Sequence, residues 1–424
     1  MGERDTVTYA LDRDPAVPQR DLLLQPALVA DRLEPLLGRP RSLAIDSCRQ
    51  VRVKYRVGAR LRVVHRIRAR SLSFDISAST FPSLERSERA YAEARVRAVA
   101  CVSVPPVVHD RGLATVFWSF PNDRKVAGLP ALAGPSPELA RLHPGWRRSE
   151  LVSYAPEKSA TMRCRDEAGR TIGFAKAYAG EEGTRAHRVH DALTRALGPD
   201  DPQLRLPRTL GYSQPHHTLL VEFVEAAPLY APDAPDAEAR YVRLGRALAR
   251  FHELPAPDAI RFTRSDPDRL EAAAELIGAA RRDVGWAARR LAREVAPRLE
   301  AGDVSCLHGD VNFRNALLEN GRVALIDLDQ VATGPAAAEL GSVLASLRYG
   351  AIVGLVRASV APQLARSLLE GYAEVRSVPA ESALRAYTAA ALLGERALRV
   401  VTRVRPEGLR RLPALLADAR GVLG

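Results

Sequence analysis

The sequence has 424 residues, 46% of them hydrophobic, and its 62 basic against 50 acidic residues give a net charge of +12. That length is too great for a single hydrophobic core and leads us to expect roughly three packing units. No long block of like charge occurs, which excludes a charged tail, and four scattered cysteines (Cys48, Cys101, Cys164, Cys306) without a C-x-x-C pair argue against a zinc site or disulfide framework.

The N-terminal stretch MGERDTVTYALDRDPAV is charged throughout and lacks the apolar centre of a signal peptide. Further on, Arg or Gly interrupts every apolar stretch before it reaches a membrane-spanning length, so we expect a cytoplasmic protein with no membrane span. In QVRVKYRVGARLRVVHRIRAR the even positions Arg52, Lys54, Arg56, Arg60, Arg62, Arg66, Arg68 and Arg70 are basic, and the odd positions from Val51 to Ile67 are mostly apolar. This period of two predicts two strands with one buried and one basic face. Arginine falls on the same face of both strands only if the turn holds an odd number of residues, which predicts a three-residue loop of Val57, Gly58 and Ala59. Such a face is either solvated or a surface for an anionic partner. An aromatic content of 5% and the lack of an RNA-binding signature argue against nucleic acid.

The same pattern then recurs. VKYRVGARLRV at 53–63 aligns with VSYAPEKSATM at 152–162, and SFDIS at 73–77 aligns with GFAKA at 173–177. A helical stretch follows each, and each ends in an apolar strand, VFWSF or LLVEF. We read a duplicated unit. Where the first copy has Ile76 the second has Lys176, one of only four lysines in the chain. A lysine among apolar strand neighbours must reach an anion or carry its ammonium to the surface. Beyond the prolines and aspartates of 231–239 the texture changes to helix: YVRLGRALARFHELP, two or three helices over 266–300, and helices again to the end.

Between those helices lies HGDVNFRNALLENGRVALIDLD, residues 308–329. Asp310 can accept a proton, Asn315 offers a neutral oxygen to a hard cation, and VALI reads as a buried strand ending at Asp327, a second carboxylate. A turn at 319–321 would return the chain so that one base and two metal ligands meet. That set suits transfer of a phosphoryl group to a hydroxyl, which needs a proton acceptor and a divalent cation.

The segment closely resembles the catalytic loop and metal-binding segment of the aminoglycoside phosphotransferase and choline kinase-like family. LGRALARFHELP is similar to that family's first large-lobe helix and LLVEFVEAAPL to its hinge. The resemblance covers about residues 150–424 and implies an α+β, protein kinase-like bilobal fold with a β-rich small lobe and a helical large lobe. An additional α+β module resembling a degenerate small lobe precedes it. The implied domains are 1–140, 141–232 (small lobe with hinge) and 233–424 (large lobe).

The resemblance further implies ATP or GTP with Mg²⁺, and a small-molecule hydroxyl acceptor such as a sugar, metabolite or antibiotic. Asp310 would be the catalytic base, with Asn315 and Asp327 as Mg²⁺ ligands and Lys176 on the α/β-phosphates. The backbone at Glu222 and Val224 would meet the adenine, and the turn from Glu157 to Ala160, with the Ser159 hydroxyl, would cover the phosphates. His308 reads as a brace of the loop. Asp329 is either a group behind the metal ligands or a local cap. Two departures stand out: the helix after Lys176 carries glutamates only at its start, Glu181 and Glu182, with His187 and His190 in its interior, and Glu339 replaces the family's later aspartate. The alternative is a kinase-like regulatory protein that engages an anionic partner through its basic first module. Residues 345–424 hold twelve arginines against six acids, which leans away from a cationic acceptor.

Overall fold

The alternating stretch forms the expected hairpin. Strands β1 (Ser47–Arg56) and β2 (Arg60–Ala69) pair antiparallel with Arg56 opposite Arg60, leaving the three-residue turn 57–59. Gly58 takes the left-handed position of that turn at φ +71, which suits a residue without Cβ. The computed structural model describes residues 10–38, 43–70, 72–101, 103–229, 234–255, 260–300, 302–312 and 314–424. Part of the Pro/Asp-rich segment, 231–233, lies outside these. The chain forms two compact units: residues up to Thr184 with 210–220 and 402–404, and residues 185–209, 221–401 and 405–424.

In the first unit β1 and β2 continue into β3 (Leu72–Thr80), the helix Leu84–Arg97, β4 (Val107–Asp110) and β5 (Thr115–Ser119), with sheet order β1-β2-β3-β5-β4. Ser83 caps the helix by accepting the Arg86 N–H at 3.3 Å, and Arg95 and Arg97 sit favourably in its last turn. The second sheet repeats the plan. It runs β6 (Arg148–Ala155), β7 (Ser159–Arg165), β8 (Thr171–Tyr178), the helix Glu182–Leu197, β9 (Thr209–Ser213) and β10 (Thr218–Glu222), ordered β6-β7-β8-β10-β9. Ala155 opposes Ser159, so its first hairpin also turns in three residues.

Side chains repeat as well as strands. In the first copy Asp14 Oδ2 accepts the Tyr55 hydroxyl at 2.5 Å and the Gly58 N–H at 2.9 Å. In the second, Asp123 Oδ2 accepts the Tyr154 hydroxyl at 2.6 Å and the Glu157 N–H at 2.9 Å. Glu157 occupies the left-handed position of Gly58, at φ +58. One carboxylate thus clamps each hairpin turn to its own first strand.

The basic face of the first hairpin corrects the sequence reading. The face is solvated at Lys54, Arg56, Arg68 and Arg70, as expected, but not at its centre: Arg62 is 6% exposed and Val64 1%, although both lie on the even side of β2. Val64 belongs to the core built from Tyr154, Met162 and Ala175 of the second sheet. The physical reason is that a period of two identifies two faces but not what covers each, and here the duplicated sheet covers the middle of the basic one, at Arg62 and Val64. The expected boundary at 140/141 therefore falls inside one unit.

The second unit packs helices around two small sheets. Strand β11 (Val304–Leu307) leads into the 308–315 loop, and β12 (Ala316–Glu319) pairs with β13 (Arg322–Leu325). The turn residues Asn320 and Gly321, at φ +47 and +89, form the tight two-residue connection that Asn-Gly favours. Strand β14 (Ala332–Pro335) then pairs with β11. Leu248 and Phe251 of the helix Ala237–His252, Leu307, Leu340 of the helix Ala336–Ile352, and Leu368 and Tyr372 of the helix Ala361–Ala373 share one core. Leu193, Leu204 and Leu229 join the same core, which places 185–209 and 221–229 with the helices. Among the described residues no helix is long and apolar enough to cross a membrane.

Candidate active site

The loop after β11 turns at Gly309, whose φ is +78 and where a Cβ would stand 2.1 Å from the Gln330 carbonyl oxygen. Only glycine fits that close approach. His308 is buried, with Nε2 3.0 Å from the Ile326 carbonyl oxygen and Nδ1 accepting the Asp310 N–H at 3.3 Å. The proton therefore sits on Nε2, and the ring ties the loop to the returning chain. Glu339, in the first turn of its helix, reaches the loop's amides: its carboxylate accepts the N–H of His308 at 2.9 Å and of Gly309 at 2.6 Å. His252 Nε2 lies 3.1 Å from the same carboxylate and His252 Nδ1 2.9 Å from the Tyr372 hydroxyl. Burial pushes the Glu339 carboxyl up, but the hydrogen bond and charge of His252, together with His308, outweigh it and hold the group below its ordinary value.

Two carboxamides pin the next turn. Asn312 Nδ2 and Asn315 Nδ2 each donate to the Asp310 carbonyl at 2.9 Å. The Asp310 carboxylate is left partly exposed, with Arg399 Nη2 donating to its Oδ1 at 3.1 Å. Ile326 N donates to the Asn315 carbonyl at 2.9 Å, one residue beyond the Ala316–Leu325 pair. The hairpin thus sets Asn315 beside the segment that ends in Asp327. Asp327 itself is held at φ 64, ψ 62, a left-handed conformation that Asp tolerates better than most residues. The Asp329 carbonyl accepts from Arg185 Nη2 at 3.1 Å, which anchors the chain just past Asp327.

In the first unit Lys176 lies on β8, the central strand of its sheet, opposite Thr161, with Nζ 5.7 Å from the centroid of the Tyr178 ring. Its counterpart in the first copy, Ile76, is fully buried. Ser159 opens β7 and is 7% exposed. Glu157, at the tip of the same turn, faces three guanidiniums: Arg60 at 3.3 Å, Arg62 at 3.6 Å and Arg124 at 3.6 Å, with the Ser79 hydroxyl donating at 3.3 Å. Arg62 also donates to the Pro156 carbonyl at 2.7 Å. The arginine stripe of the first module therefore fastens the turn between β6 and β7. Glu157→Ala would leave the buried Arg62 with neighbouring like charges. We expect a loss of about 2 kcal/mol, read as a lower urea midpoint. An unchanged midpoint would show that the turn stands without the brace.

Glu181 accepts from Thr184 Oγ1 at 2.9 Å, and the helix begins at Glu182. His190 in that helix is 5% exposed, and burial pushes its pKa down to about 4, so it packs as a neutral core residue. In the second unit the Glu222 carboxylate is paired with Arg205 and accepts from Arg208 N at 2.8 Å and Nε at 2.7 Å; its N–H donates to the Arg208 carbonyl at 3.0 Å. Val224 is buried at 6% exposure. Sequence reasoning did not single out His252, Tyr372, Asp123, Arg264 or Arg399. The one signal available was the repeated Val-x-Tyr, whose tyrosines both serve an aspartate.

Residues 174–387, half of the chain, match the model of the phosphotransferase enzyme family, APH. The chain belongs to this family. Among solved structures it is similar to spectinomycin phosphotransferase APH(9)-Ia in complex with ADP and spectinomycin, at 14% identity and TM-score 0.46 over 65% of this chain and 93% of that one. It is also similar to a choline/ethanolamine kinase family protein from Mesorhizobium loti (14%, 0.46, 69% and 92%). A third is an ethanolamine kinase from Plasmodium vivax (10%, 0.47, 67% and 89%). No curated protein matches the sequence. The family match ends before the helix that bears Arg399, and the first sheet lies wholly before it.

Proposed function

We propose that this phosphotransferase moves the γ-phosphoryl group of ATP or GTP to a hydroxyl of a small molecule, with Mg²⁺. The observation that carries the reading is the pinned loop: Asn315 Nδ2 is turned onto the Asp310 carbonyl at 2.9 Å, which leaves its Oδ1 as the free end of the amide beside the Asp327 segment. A carboxamide oxygen and a carboxylate are hard donors, and Mg²⁺ needs only one or two protein ligands besides phosphate and water. Among the described residues there is no cluster of three His, Cys, Asp or Glu, which is consistent with that sparse set.

In this reading Asn315 and Asp327 hold the cation, which when bound would neutralise phosphate charge. Asp310 accepts the acceptor's hydroxyl proton as the new O–P bond forms and the bond to the leaving diphosphate breaks. Lys176 contacts the α/β-phosphates, Ser159 contributes a donor at the turn, and the backbone of Glu222 and Val224 meets the base edge. Release of nucleoside diphosphate, measured with ATP and GTP in Mg²⁺ against a panel of hydroxyl metabolites and antibiotics, tests the proposal, with calorimetric nucleotide binding alongside. Consumption that requires both acceptor and Mg²⁺ is the expected result. Absent consumption together with absent nucleotide binding would overturn it.

A further inference from the structure

The π-helix Leu392–Ala397 and the helix Leu398–Thr402 bring unusual charge to the loop of Asp310. Widened helical turns of this kind recur at functional sites, because the extra residue redirects side chains that would otherwise stack along one face. Here Arg396 turns inward, its side chain only 11% exposed, while Arg399, three residues on, reaches the Asp310 carboxylate at 3.1 Å with its side chain 38% exposed. Arg264 donates to the Gly309 carbonyl and to Gln330 Oε1 at 3.0 Å, completing three guanidiniums around one loop.

These three arginines do not have equal work inside the fold. Arg264 is used up in holding backbone and Gln330. Arg396 Nη2 donates to the Ser342 carbonyl at 3.3 Å and hydroxyl at 3.1 Å and pairs with the buried Glu395 at 3.4 Å, yet its Nε is buried with no partner among the described residues. Arg399, among the described residues, uses a single N–H, and uses it on Asp310. Glu395 also faces Arg264 at 3.9 Å and accepts the Ser342 hydroxyl at 3.0 Å, so one buried acid is shared by two of the cations. Three guanidiniums thus face Glu395 and Asp310 here, while the Glu339 carboxylate is spent on the amides of His308 and Gly309 behind the loop. Burial and the charges of Arg399 and Arg264 hold Arg396 below its ordinary value, although Glu395 and Asp310 oppose the shift.

A base that must receive a hydroxyl proton is here capped on one oxygen by a permanent cation with an unused donor fork. We propose that Arg399 binds an oxyanion of the acceptor, a carboxylate or phosphate group, beside the hydroxyl that Asp310 deprotonates, so that the acceptor is an anionic hydroxy compound. The proposal rests on the phosphotransferase reading. A planar guanidinium matches a carboxylate or phosphate with two parallel hydrogen bonds, whereas a cationic acceptor group beside Asp310 would meet the like charge of Arg399.

Two measurements on the full chain separate the outcomes. Phenylglyoxal labelling of Arg399, followed by mass spectrometry, is expected to fall about threefold or more when inorganic phosphate or glucuronate is added, and not with glucosamine at equal ionic strength. Equal labelling under all three conditions overturns the oxyanion subsite whatever the protein turns over. In turnover with Mg²⁺ and nucleotide, glucuronate and glucose 6-phosphate should exceed glucose, and glucose exceed glucosamine, by roughly tenfold per step in kcat/KM, and which anion leads distinguishes carboxylate from phosphate. Arg399→Gln should collapse that order through KM, and Arg399→Lys should restore part of it. A preference for glucosamine, or an order unchanged in Arg399→Gln, overturns the proposal. Phosphate protection of Arg399 without consumption of nucleotide by any acceptor would keep the subsite and remove the phosphotransferase reading.

Discussion

Asp310→Asn is expected to lower phosphoryl transfer by about a thousandfold while leaving nucleotide binding and stability nearly unchanged. The expectation follows from how the loop is held. Its contacts run through the Asp310 carbonyl, which accepts from Asn312 and Asn315, through the Asp310 N–H on His308, and through Glu339 behind it. None of these uses the Asp310 carboxylate, which among the described residues accepts from Arg399 alone. An amide of the same shape keeps an oxygen for that guanidinium but is no longer a base. Steady-state product formation and calorimetric nucleotide titration of the same preparation check it. Turnover comparable to the wild-type chain would remove Asp310 from the role of base.

The parts of this site that could be read from the sequence are those joined by short stretches of chain. The hairpin from Ala316 to Leu325 brings Asn315 to Ile326 across an Asn-Gly turn, and each of those steps has a local signature. The odd length of the turn after Arg56 followed from parity, because side chains alternate with a period of two, and the preference for short hairpin loops made it three. The repeat was legible as a pattern of elements, and the matching sheet orders and the Asp14 and Asp123 clamps give it a physical basis.

What could not be read are the pairs made by packing. Arg62 meets Pro156 across 94 residues, His252 meets Glu339 across 87, and Arg399 meets Asp310 across 89. No local preference encodes such partners. The cover over the middle of the basic stripe was out of reach for the same reason: alternation announces an amphipathic strand, and a second sheet with one buried acid, Glu157, can cover part of its charged side while water covers Lys54, Arg56, Arg68 and Arg70.

Glu339 shows how much the loop depends on one such long-range group. Glu339→Ala removes the acceptor of two backbone N–H groups, those of His308 and Gly309, and the partner of His252, in a place where Glu339 is 3% exposed and His308 fully buried. Water cannot easily replace it, so the cost is that of two unsatisfied buried donors plus a His252 ring left with Tyr372 as its partner on one nitrogen. We expect a loss of about 4 kcal/mol, with Glu339→Gln losing roughly half, because the amide keeps one acceptor oxygen but turns an NH₂ toward the second donor.

The wild-type chain should reveal the same group through pH. The Glu339 carboxyl is held below its ordinary value of 4.5 in the folded state, so its contribution is complete above that pH and is lost as the pH falls below it. Thermal melts across pH 3 to 7 should therefore show a steeper acid loss in the wild-type chain than in Glu339→Gln, which has no proton to take up there. Parallel curves would assign the acid loss to other carboxylates. A Glu339→Ala chain with wild-type melting temperature and turnover would show that the Asp310 loop holds its shape through its own hydrogen bonds.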